Sequence, residues 1–582
     1  MGWALRFAVV ALVLASGFAP AGAAAPASGS GPLAQPDADP LPIAQRHLRK
    51  AREYLAASCA MLEKGSRHAL DGYYVACEEA WSAVWVCPGH PEMLPEAAEL
   101  YADAMAGLLE SARQQGRLTP RGLWIGPHTK PILVPLVPKA LPIAAEEIGG
   151  IEPQAQSDDK RISRRHVRDG FGLPVVVRVK PAQGRLEPYN RERQSLAATA
   201  VLRFRMPGEE NFLREFAGPT YRDHAPAVLD LANPIEIAAV HIGHARPHLA
   251  GDLTAPLLDM LADIPQAGVE GFLQPFGRGD TQPRLIFLHP HVPGKIPVVF
   301  IHGLASDEGT WFDLVNELRA WPVFHERFEP WVFQYPTGAA FMQQSATLRR
   351  ELRAAVRAVD PEGRDPALKN LVLVGHSLGG LHAKLQVVAS GTHLWGAVAC
   401  MPFESMRLPE QIRTRLLDNY FFEPLPFVTR VVYVATPHRG SAWASRGAGR
   451  LASLTVQPAP LMKAQHDTIV RLNPGGLRPD YERRLPTTVD ILEPDSTLLN
   501  AIERLRPSCW VTQHSVVGDV HVSATGGRDD WVVPVSSARS PGAVSEIEVP
   551  ACHTKVHHHP LTVAELERIL AQHLQETGLA NK

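Results

Sequence analysis

Apolar residues recur at helical spacing in the first part of the chain after its leader. Leu48 and Leu55 fall on one helical face, and similar patterns cover residues 73–85 and 95–115. A glycine follows the first and the last of these segments, as is common at the C-terminal ends of helices. The pattern predicts a small helical module over residues 42–119.

Residues 120–283 have a different pattern, in which short apolar runs are broken by proline and glycine. Runs of this length that are rich in Val, Ile and Phe are typical of β-strands. The expected strands cover residues 175–179, 198–204, 228–231 and 235–242. This segment is therefore predicted to be a β-rich domain.

From residue 284 onward, short apolar runs alternate with helical patterns, which is typical of an α/β domain with a mainly parallel sheet. We expect this domain to extend over residues 284–582. Long insertions interrupt it near residues 391–428 and 441–508. Insertions that follow the strands of an open α/β sheet lie over the ligand site, so we expect a lid and the walls of the ligand pocket, or alternatively a structural cap.

The first residues are typical of a secretory signal peptide. Arg6 precedes a largely apolar run over residues 7–18, and small residues suited to cleavage follow. A membrane-spanning helix needs about 20 apolar residues, so this run is too short to cross a bilayer. We predict a signal peptide over residues 1–25, a flexible linker over 26–41, and an exported protein (periplasmic or secreted) with no integral membrane span after signal removal.

Composition narrows the possible functions. The 582 residues include 58 Lys and Arg against 60 Asp and Glu, a formal net charge of −2. This balance argues against a nucleic-acid partner, because nucleic acids select a basic surface. The six cysteines permit up to three disulfides in an oxidising compartment, and several buried thiols are an equal alternative. We expect neither a metal ion nor an organic cofactor.

Residues 371–379 carry the first chemical signal. Four apolar residues typical of a buried strand are followed by Gly-His-Ser-Leu-Gly and then by a helical segment. A strand, a Gly-x-Ser-x-Gly turn and a helix form a nucleophile elbow, in which the tight turn strains the backbone at the serine and excludes side chains at the flanking glycines. Ser377 is therefore the predicted nucleophile.

A second buried-strand pattern, at residues 297–301, leads into a loop that could stabilise negative charge. The loop begins His302-Gly303-Leu304. An oxyanion hole needs one backbone N–H from such a loop and one from the residue after the nucleophile. We therefore expect the amides of Leu304 (alternatively Gly303) and Leu378 to form it.

The other members of a Ser-Asp-His triad are expected downstream, with the acid before the histidine. His553 follows the last predicted strand and precedes the last helix, which is the position of the general base in this arrangement. The preceding loop offers three carboxylates, Asp519, Asp529 and Asp530. Spacing alone does not choose among them.

These motifs resemble the α/β-hydrolase superfamily and, within it, bacterial lipase-like serine esterases. The resemblance covers residues 284–577 and rests on Val-Val-Phe-Ile-His-Gly, Gly-His-Ser-Leu-Gly-Gly and Val-Tyr-Val-Ala-Thr-Pro-His-Arg-Gly-Ser. It implies an α/β-hydrolase fold, with Asp530 as the acid that orients His553. Trp531 and Cys552 stand where the corresponding family turns have glycine.

The combined interpretation is a serine hydrolase that cleaves carboxylic esters through an acyl-enzyme, with a small-molecule or lipid ester as its substrate. Two alternatives remain open: an acyltransferase that uses the same triad, and a non-catalytic binding or scaffold protein on a hydrolase fold. Among the other histidines, His438 is expected to have a structural role. Residues 557–559 are expected to form a solvated loop rather than a metal site.

Overall fold

The N-terminal part of the molecule is built from three long helices, at the places where the apolar periodicity predicts them. They are α1 (Leu41–Glu63), α2 (Ala69–Val86) and α3 (Leu94–Gln114). The computed structural model describes residues 40–153, 159–191, 193–209, 212, 225–262, 264, 282–441, 460–523 and 526–580. The predicted signal peptide and nearly all of the predicted linker lie outside these residues.

A β-rich segment follows the helices, as expected. Its elements are β1 (Leu118–Thr119), β2 (Gly122–Ile125), β3 (Ile132–Lys139), β4 (Ile148–Pro153), β5 (Val167–Arg168), β6 (Leu173–Val179), β7 (Gln194–Phe204), β8 (Ala227–Ala232), β9 (Gly251–Asp252) and the helix α4 (Ala255–Leu261). Within the described residues, seven of these strands form one sheet in the order β1-β2-β3-β8-β7-β6-β4. Its pairs are antiparallel except β3 with β8. The expected strands at 175–179, 198–204 and 228–231 are confirmed.

The prediction of a strand at residues 235–242 is wrong. After β8 the chain turns, because the Asn233 side chain accepts a hydrogen bond from the Ile235 N–H (3.1 Å) and its carbonyl accepts one from the Ile237 N–H (2.9 Å). Isolated bridges follow in place of a strand. An asparagine that bonds to the backbone two residues ahead competes with strand pairing, and the apolar residues after it do not reveal this.

The three helices and this sheet share one hydrophobic core. Trp81 of α2 and Tyr101 of α3 both pack against Phe171, with ring centroids 5.9 and 4.4 Å away. The Tyr101 hydroxyl donates to the Leu202 carbonyl (2.8 Å) and accepts from the Leu202 N–H (2.6 Å). A buried hydroxyl needs such partners, and here they join α3 to the sheet.

The C-terminal part contains a mainly parallel sheet. Its strands are β10 (Arg284–Phe287), β11 (Ile296–Ile301), β12 (Phe328–Gln334), β13 (Leu371–His376), β14 (Val428–Val434), β15 (Thr512–Gly518) and β18 (Ala543–Val549), and a separate hairpin is formed by β16 (His521–Val522) and β17 (Arg528–Asp529). The order is β10-β12-β11-β13-β14-β15-β18. Only β10 runs antiparallel to its neighbour among these strands, and the other neighbours are parallel.

Helices cover both faces of this sheet. The helices are α5 (Phe312–Ala320), α6 (Pro322–Arg327), α7 (Phe341–Val359), α8 (Leu378–Lys384), α9 (His393–Val398), α10 (Glu410–Tyr420), α11 (Pro460–Leu472), α12 (Pro479–Arg483), α13 (Thr488–Ile491), α14 (Thr497–Arg504), α15 (Val535–Ala538) and α16 (Pro560–Thr577). On β11, Val299 and Ile301 pack in the core that contains α7 and α8. Val298 and Phe300 pack in the core that contains α5 and α16. A strand buried on both faces explains the continuous apolar runs in the sequence.

The two predicted insertions pack against each other beside the carboxyl edge of the sheet. The Cys400 N–H of the first donates to the Gly476 carbonyl of the second (2.9 Å). The Thr488 hydroxyl donates to the carbonyl of Ala339, in the loop that follows β12 (2.9 Å). Residues 442–459 of the second insertion lie outside the described residues.

All six cysteines are free thiols, but only two of them are buried, so the alternative of several buried thiols holds only in part. Cys77 and Cys87 are buried, whereas Cys400 and Cys509 are exposed. Across the described ranges, no helix combines the length and the apolar character needed to cross a bilayer.

Candidate active site

Ser377 sits in a tight turn between β13 and α8. Its backbone has φ 55° and ψ −123°, a conformation that residues with a side chain seldom adopt. A Cβ atom on Gly379 would lie 2.1 Å from the Ile301 carbonyl oxygen, and one on Gly375 would lie 2.5 Å from the Gly379 carbonyl oxygen. Both glycines are therefore required, as the elbow motif predicts.

A chain of hydrogen bonds connects the three predicted side chains. Ser377 Oγ lies 2.9 Å from His553 Nε2, and His553 Nδ1 lies 2.7 Å from Asp530 Oδ2. The three side chains come from the ends of different strands and meet at the carboxyl edge of the sheet. All three residues are buried. An imidazole bonded on one side to a hydroxyl and on the other to a carboxylate can accept the hydroxyl proton.

The structure brings Asp530, and not its two neighbours in the loop, to His553. Asp530 Oδ1 also accepts from the N–H groups of Val532 (3.0 Å) and Val533 (2.7 Å). Asp529 instead accepts from His521 Nδ1 at 2.8 Å, and Asp519 pairs with Arg528. Backbone and side-chain hydrogen bonds therefore both fix the Asp530 carboxylate beside His553.

The two predicted oxyanion donors flank Ser377. Leu378 is the first residue of α8, where backbone N–H groups have no partner within the helix. Leu304 lies in the loop after β11, and a Cβ on the adjacent Gly303 would lie 3.0 Å from Ser377 Cβ. In the described part of the chain, neither the Leu304 nor the Leu378 amide donates a hydrogen bond. Both are therefore free to donate to a bound oxygen atom.

A row of histidines extends from His553 into the protein. His376 Nε2 donates to the His553 carbonyl (2.9 Å). The His376 ring lies 4.9 Å from the His553 ring and 4.8 Å from the His557 ring, and the His558 ring lies 4.6 Å beyond. Burial lowers the pKa of His376 well below its usual value and that of His557 to about 3. Both rings are therefore neutral at pH 7, so the row adds no positive charge beneath His553.

The expectation of a solvated loop at residues 557–559 is wrong for His557. Its ring packs edge-on against Trp311 at 5.6 Å, and its Nε2 lies 3.1 Å from the Thr310 carbonyl oxygen. Sequence reasoning missed this residue because its partners lie about 250 positions earlier in the chain. The triplet of histidines signals only a polar segment.

Two further histidines have structural positions, which for His438 was the expectation. His302 stacks on Tyr335, whose hydroxyl donates to the His302 carbonyl at 2.8 Å, and burial lowers the pKa of His302 to about 4. His438 is buried, and its ring packs edge-on against Tyr433. Neither histidine replaces His553 beside the serine.

An apolar cavity of about 110 Å³ lies between the start of α7 and the helices of the two insertions. Its lining includes Phe341, Met342, Ile412, Tyr420 and Ile469. The first two follow the loop at the end of β12, on the same edge of the sheet as Ser377. The insertions therefore enclose an apolar cavity, and none of the triad residues lines it.

The sheet order, the elbow after β13 and the Ser-Asp-His order together decide the fold. The C-terminal part has the α/β-hydrolase fold. This confirms the expected fold class, a mainly parallel α/β-hydrolase sheet, with helices and a second sheet in the N-terminal part.

Among the solved structures similar to this chain are lipases and esterases that are distant from it in sequence. The mature lipase BlEst2 of Bacillus licheniformis has 17% identity and a TM-score of 0.31, over 50% of this chain and 99% of that chain. The esterase Est2 of Thermogutta terrifontis, a structure with bound butyrate, has 13% identity and a TM-score of 0.28, over 55% and 96%. A lipase-esterase related protein from Clostridium acetobutylicum has 12% identity and a TM-score of 0.25, over 49% and 98%. No family model and no curated protein matches the chain.

Proposed function

We propose that this protein is an exported, lipase-like serine esterase that hydrolyses carboxylic esters through an acyl-enzyme. The observation that carries the proposal is the continuous hydrogen-bond chain from Ser377 through His553 to Asp530, with two free amides beside the serine. A nucleophile, a base, an orienting acid and oxyanion donors are the complete set needed for acyl transfer.

In the first half of the reaction, His553 Nε2 takes the proton of Ser377 Oγ as the oxygen attacks the ester carbonyl carbon. The carbonyl oxygen becomes negatively charged and accepts from the amides of Leu304 and Leu378. His553 then gives its proton to the leaving alcohol as the C–O bond breaks. Asp530 stabilises the imidazolium that exists between these two proton transfers.

In the second half, water attacks the acyl-enzyme. His553 takes a proton from the water as its oxygen bonds to the acyl carbon, and the same two amides stabilise the second oxyanion. The bond to Ser377 Oγ then breaks, and His553 returns the proton to that oxygen. The products are a carboxylic acid and the free enzyme.

We infer the substrate class from the apolar cavity between the insertions and from the charge of the chain. The cavity between the insertions is lined largely by apolar side chains, and the chain as a whole is close to neutral. An uncharged or amphiphilic ester therefore suits the site better than a polyanion. The leader over residues 1–25 supports export to the periplasm or the medium.

The proposal is tested with p-nitrophenyl esters of increasing acyl length and with a fluorophosphonate probe, which labels activated serines. We expect the wild type to turn over the esters and to be labelled, and Ser377→Ala to lose both. Ser536→Ala is the matched control, because Ser536 is exposed in the hydrolase part. If the wild type showed neither turnover nor labelling, or if both persisted in Ser377→Ala, the proposed hydrolase function would be refuted. Transfer to an added alcohol in preference to water would instead identify an acyltransferase.

A further inference from the structure

The loop that carries the Leu304 amide, one of the two proposed oxyanion donors, has a strained residue directly after it. Ala305 has φ 53°, in the left-handed region that residues with a side chain seldom adopt. Such a conformation persists only where the surrounding structure holds it, and it relaxes when the supporting contacts are lost. The position of the Leu304 amide therefore depends on what holds residues 302–305, here called the oxyanion loop.

The segment after β12 is joined to the oxyanion loop by three hydrogen bonds. The Thr337 hydroxyl oxygen accepts from the Ala305 N–H (3.1 Å), the amide that follows the one of Leu304. The Tyr335 hydroxyl donates to the His302 carbonyl oxygen (2.8 Å), and the Tyr335 N–H donates to His302 Nε2 (3.4 Å). These bonds therefore hold the loop on both sides of Leu304.

The contact between Tyr335 and the His302 ring also sets the direction of the donor. Because His302 Nε2 accepts from the Tyr335 N–H, the ring proton lies on Nδ1, which donates to the Gly303 carbonyl oxygen (3.1 Å). Burial lowers the pKa of His302 to about 4, so the ring is neutral at pH 7 and keeps this arrangement. In a trans peptide group the C=O and the N–H point in opposite directions, so the Leu304 N–H points away from the His302 ring.

The two supporting side chains are themselves held in place. Thr337 and Tyr335 are both buried. The Tyr335 ring stacks on Phe333 of β12 at 5.3 Å and packs edge-on against His382 of α8 at 4.8 Å. Because α8 begins with Leu378, the same helix provides the second proposed oxyanion donor and packs against the support of the first. A group that positions a functional atom is effective only when packing locks it in this way.

We propose that Thr337 and Tyr335 are positioning residues of the oxyanion hole, which hold the Leu304 N–H toward the oxygen atom that becomes negatively charged. This inference rests on the proposed esterase function, in which that charge forms when Ser377 attacks the ester. Both residues act through the oxyanion loop and not by contact with the substrate. Donors that are placed before the reaction stabilise the transition state more than the bound ester, so displacing one lowers kcat and leaves KM nearly unchanged.

The test uses the full chain and the p-nitrophenyl ester that the wild type hydrolyses fastest. Thr337→Val removes the acceptor of the Ala305 N–H and keeps the shape of the side chain. We expect its kcat to fall about tenfold to a hundredfold, with KM within about twofold of the wild type. Thr337→Ser keeps the hydroxyl and is expected to restore most of kcat. Tyr335→Phe tests the same loop if Thr337→Val does not fold, and it is expected to lower kcat severalfold.

Thr199→Val is the matched control. Thr199 is buried in β7, in the N-terminal part, and its hydroxyl also bonds to a backbone group, the Ala250 carbonyl oxygen (2.5 Å). We expect this variant to keep the kcat of the wild type. An active wild type whose kcat is unchanged in Thr337→Val and Tyr335→Phe would overturn the inference. A loss of kcat that Thr337→Ser does not restore, or an equal loss in Thr199→Val, would overturn it as well.

Amide hydrogen exchange, measured by mass spectrometry, tests the support of the oxyanion loop without any turnover. We expect the peptide that contains Ala305 to exchange faster in Thr337→Val than in the wild type, and at an unchanged rate in Thr199→Val. A wild type that turned over no ester would refute the esterase function, and the exchange rates would still show whether Thr337 holds the loop. Unchanged exchange in Thr337→Val would refute that hold.

Discussion

The loops that carry Asp530 and His553 have Trp531 and Cys552 where the family that the chain resembles has glycine. The backbone conformations at these two positions differ. Trp531 has φ 77°, in the left-handed region that glycine adopts freely. Cys552 has no such conformation. The acid loop therefore needs the conformational freedom of glycine and uses a tryptophan in its place, whereas the base loop does not need that freedom.

The support of the two loops differs as well. Trp531 is 60% exposed, and its ring stacks on His521 at 3.7 Å, while its backbone N–H donates to the Asp529 carboxylate (2.9 Å). The base loop is supported from inside the protein by the buried rings of His376 and His557. The acid loop thus depends on a surface stack that offsets backbone strain, and the base loop depends on neutral histidines that must stay buried.

The strongest test of the acid loop is Asp530→Asn. The amide cannot hold the His553 tautomer or stabilise its imidazolium, so we expect kcat for ester hydrolysis to fall about 10⁴-fold with the fold intact. Asp529→Asn is the matched control, because Asp529 contacts His521 and Trp531 and not His553. If Asp529→Asn abolished turnover and Asp530→Asn did not, the roles assigned to the two carboxylates would be reversed.

The base loop is expected to be sensitive to acid. The unfolded state binds a proton at each histidine near pH 6.5, whereas the folded state keeps His557 neutral down to about pH 3. Stability is therefore complete above about pH 6.5 and falls as the pH decreases toward 3, by about 1.4 kcal/mol per pH unit for each such histidine. Urea unfolding at pH 7 and pH 5 measures this loss.

His557→Gln removes one titrating group and keeps a side chain that can donate to the Thr310 carbonyl. We expect its unfolding free energy to depend less steeply on pH than that of the wild type. Part of the slope is expected to remain, because burial also lowers the pKa of other histidines, among them His376 and His558 beside it. His521→Gln, in the acid loop, is the control. The same flattening in both variants would show that the two loops do not differ in this respect.

The sequence predicts those parts of the site that depend on local backbone geometry. The glycines around Ser377, the strand before it and the helix after it occupy consecutive positions, so the elbow is visible in one short segment. The choice of Asp530 among three carboxylates needed a family resemblance, because hydrogen bonding to His553 depends on the path of the loop.

Other features depend on contacts between distant segments. His557 is buried only because Trp311 and His376 fold against it, and no pattern near residue 557 indicates this. The burial of the Arg349 side chain depends on the first insertion placing Phe422 over its guanidinium group. Long-range packing of this kind leaves no periodicity in one sequence, which explains why apolar elements were predicted better than buried polar groups.

The strain at Trp531 can be measured by substitution. Valine is poorly tolerated at positive φ and cannot stack on His521, so we expect Trp531→Val to unfold about 2 kcal/mol more easily than Trp531→Gly. Trp531→Gly is expected to stay within about 1 kcal/mol of the wild type, because relief of strain offsets the lost stack and the added freedom of the unfolded chain. Urea unfolding gives the free energies. Equal stability of the two variants would mean that the loop relaxes away from its left-handed conformation.

The smallest effects on stability are expected at Cys552. Substitution by glycine relieves no backbone strain there, unlike at Trp531. Because the backbone there needs no positive φ, Cys552→Gly gains nothing in the folded state and adds freedom to the unfolded chain, at a cost of about 0.5–1 kcal/mol. Cys552→Ala, which adds no such freedom, is expected to unfold close to the wild type. Stabilisation by glycine at position 552 would show that the base loop is strained in the same way as the acid loop, and the distinction between them would be lost.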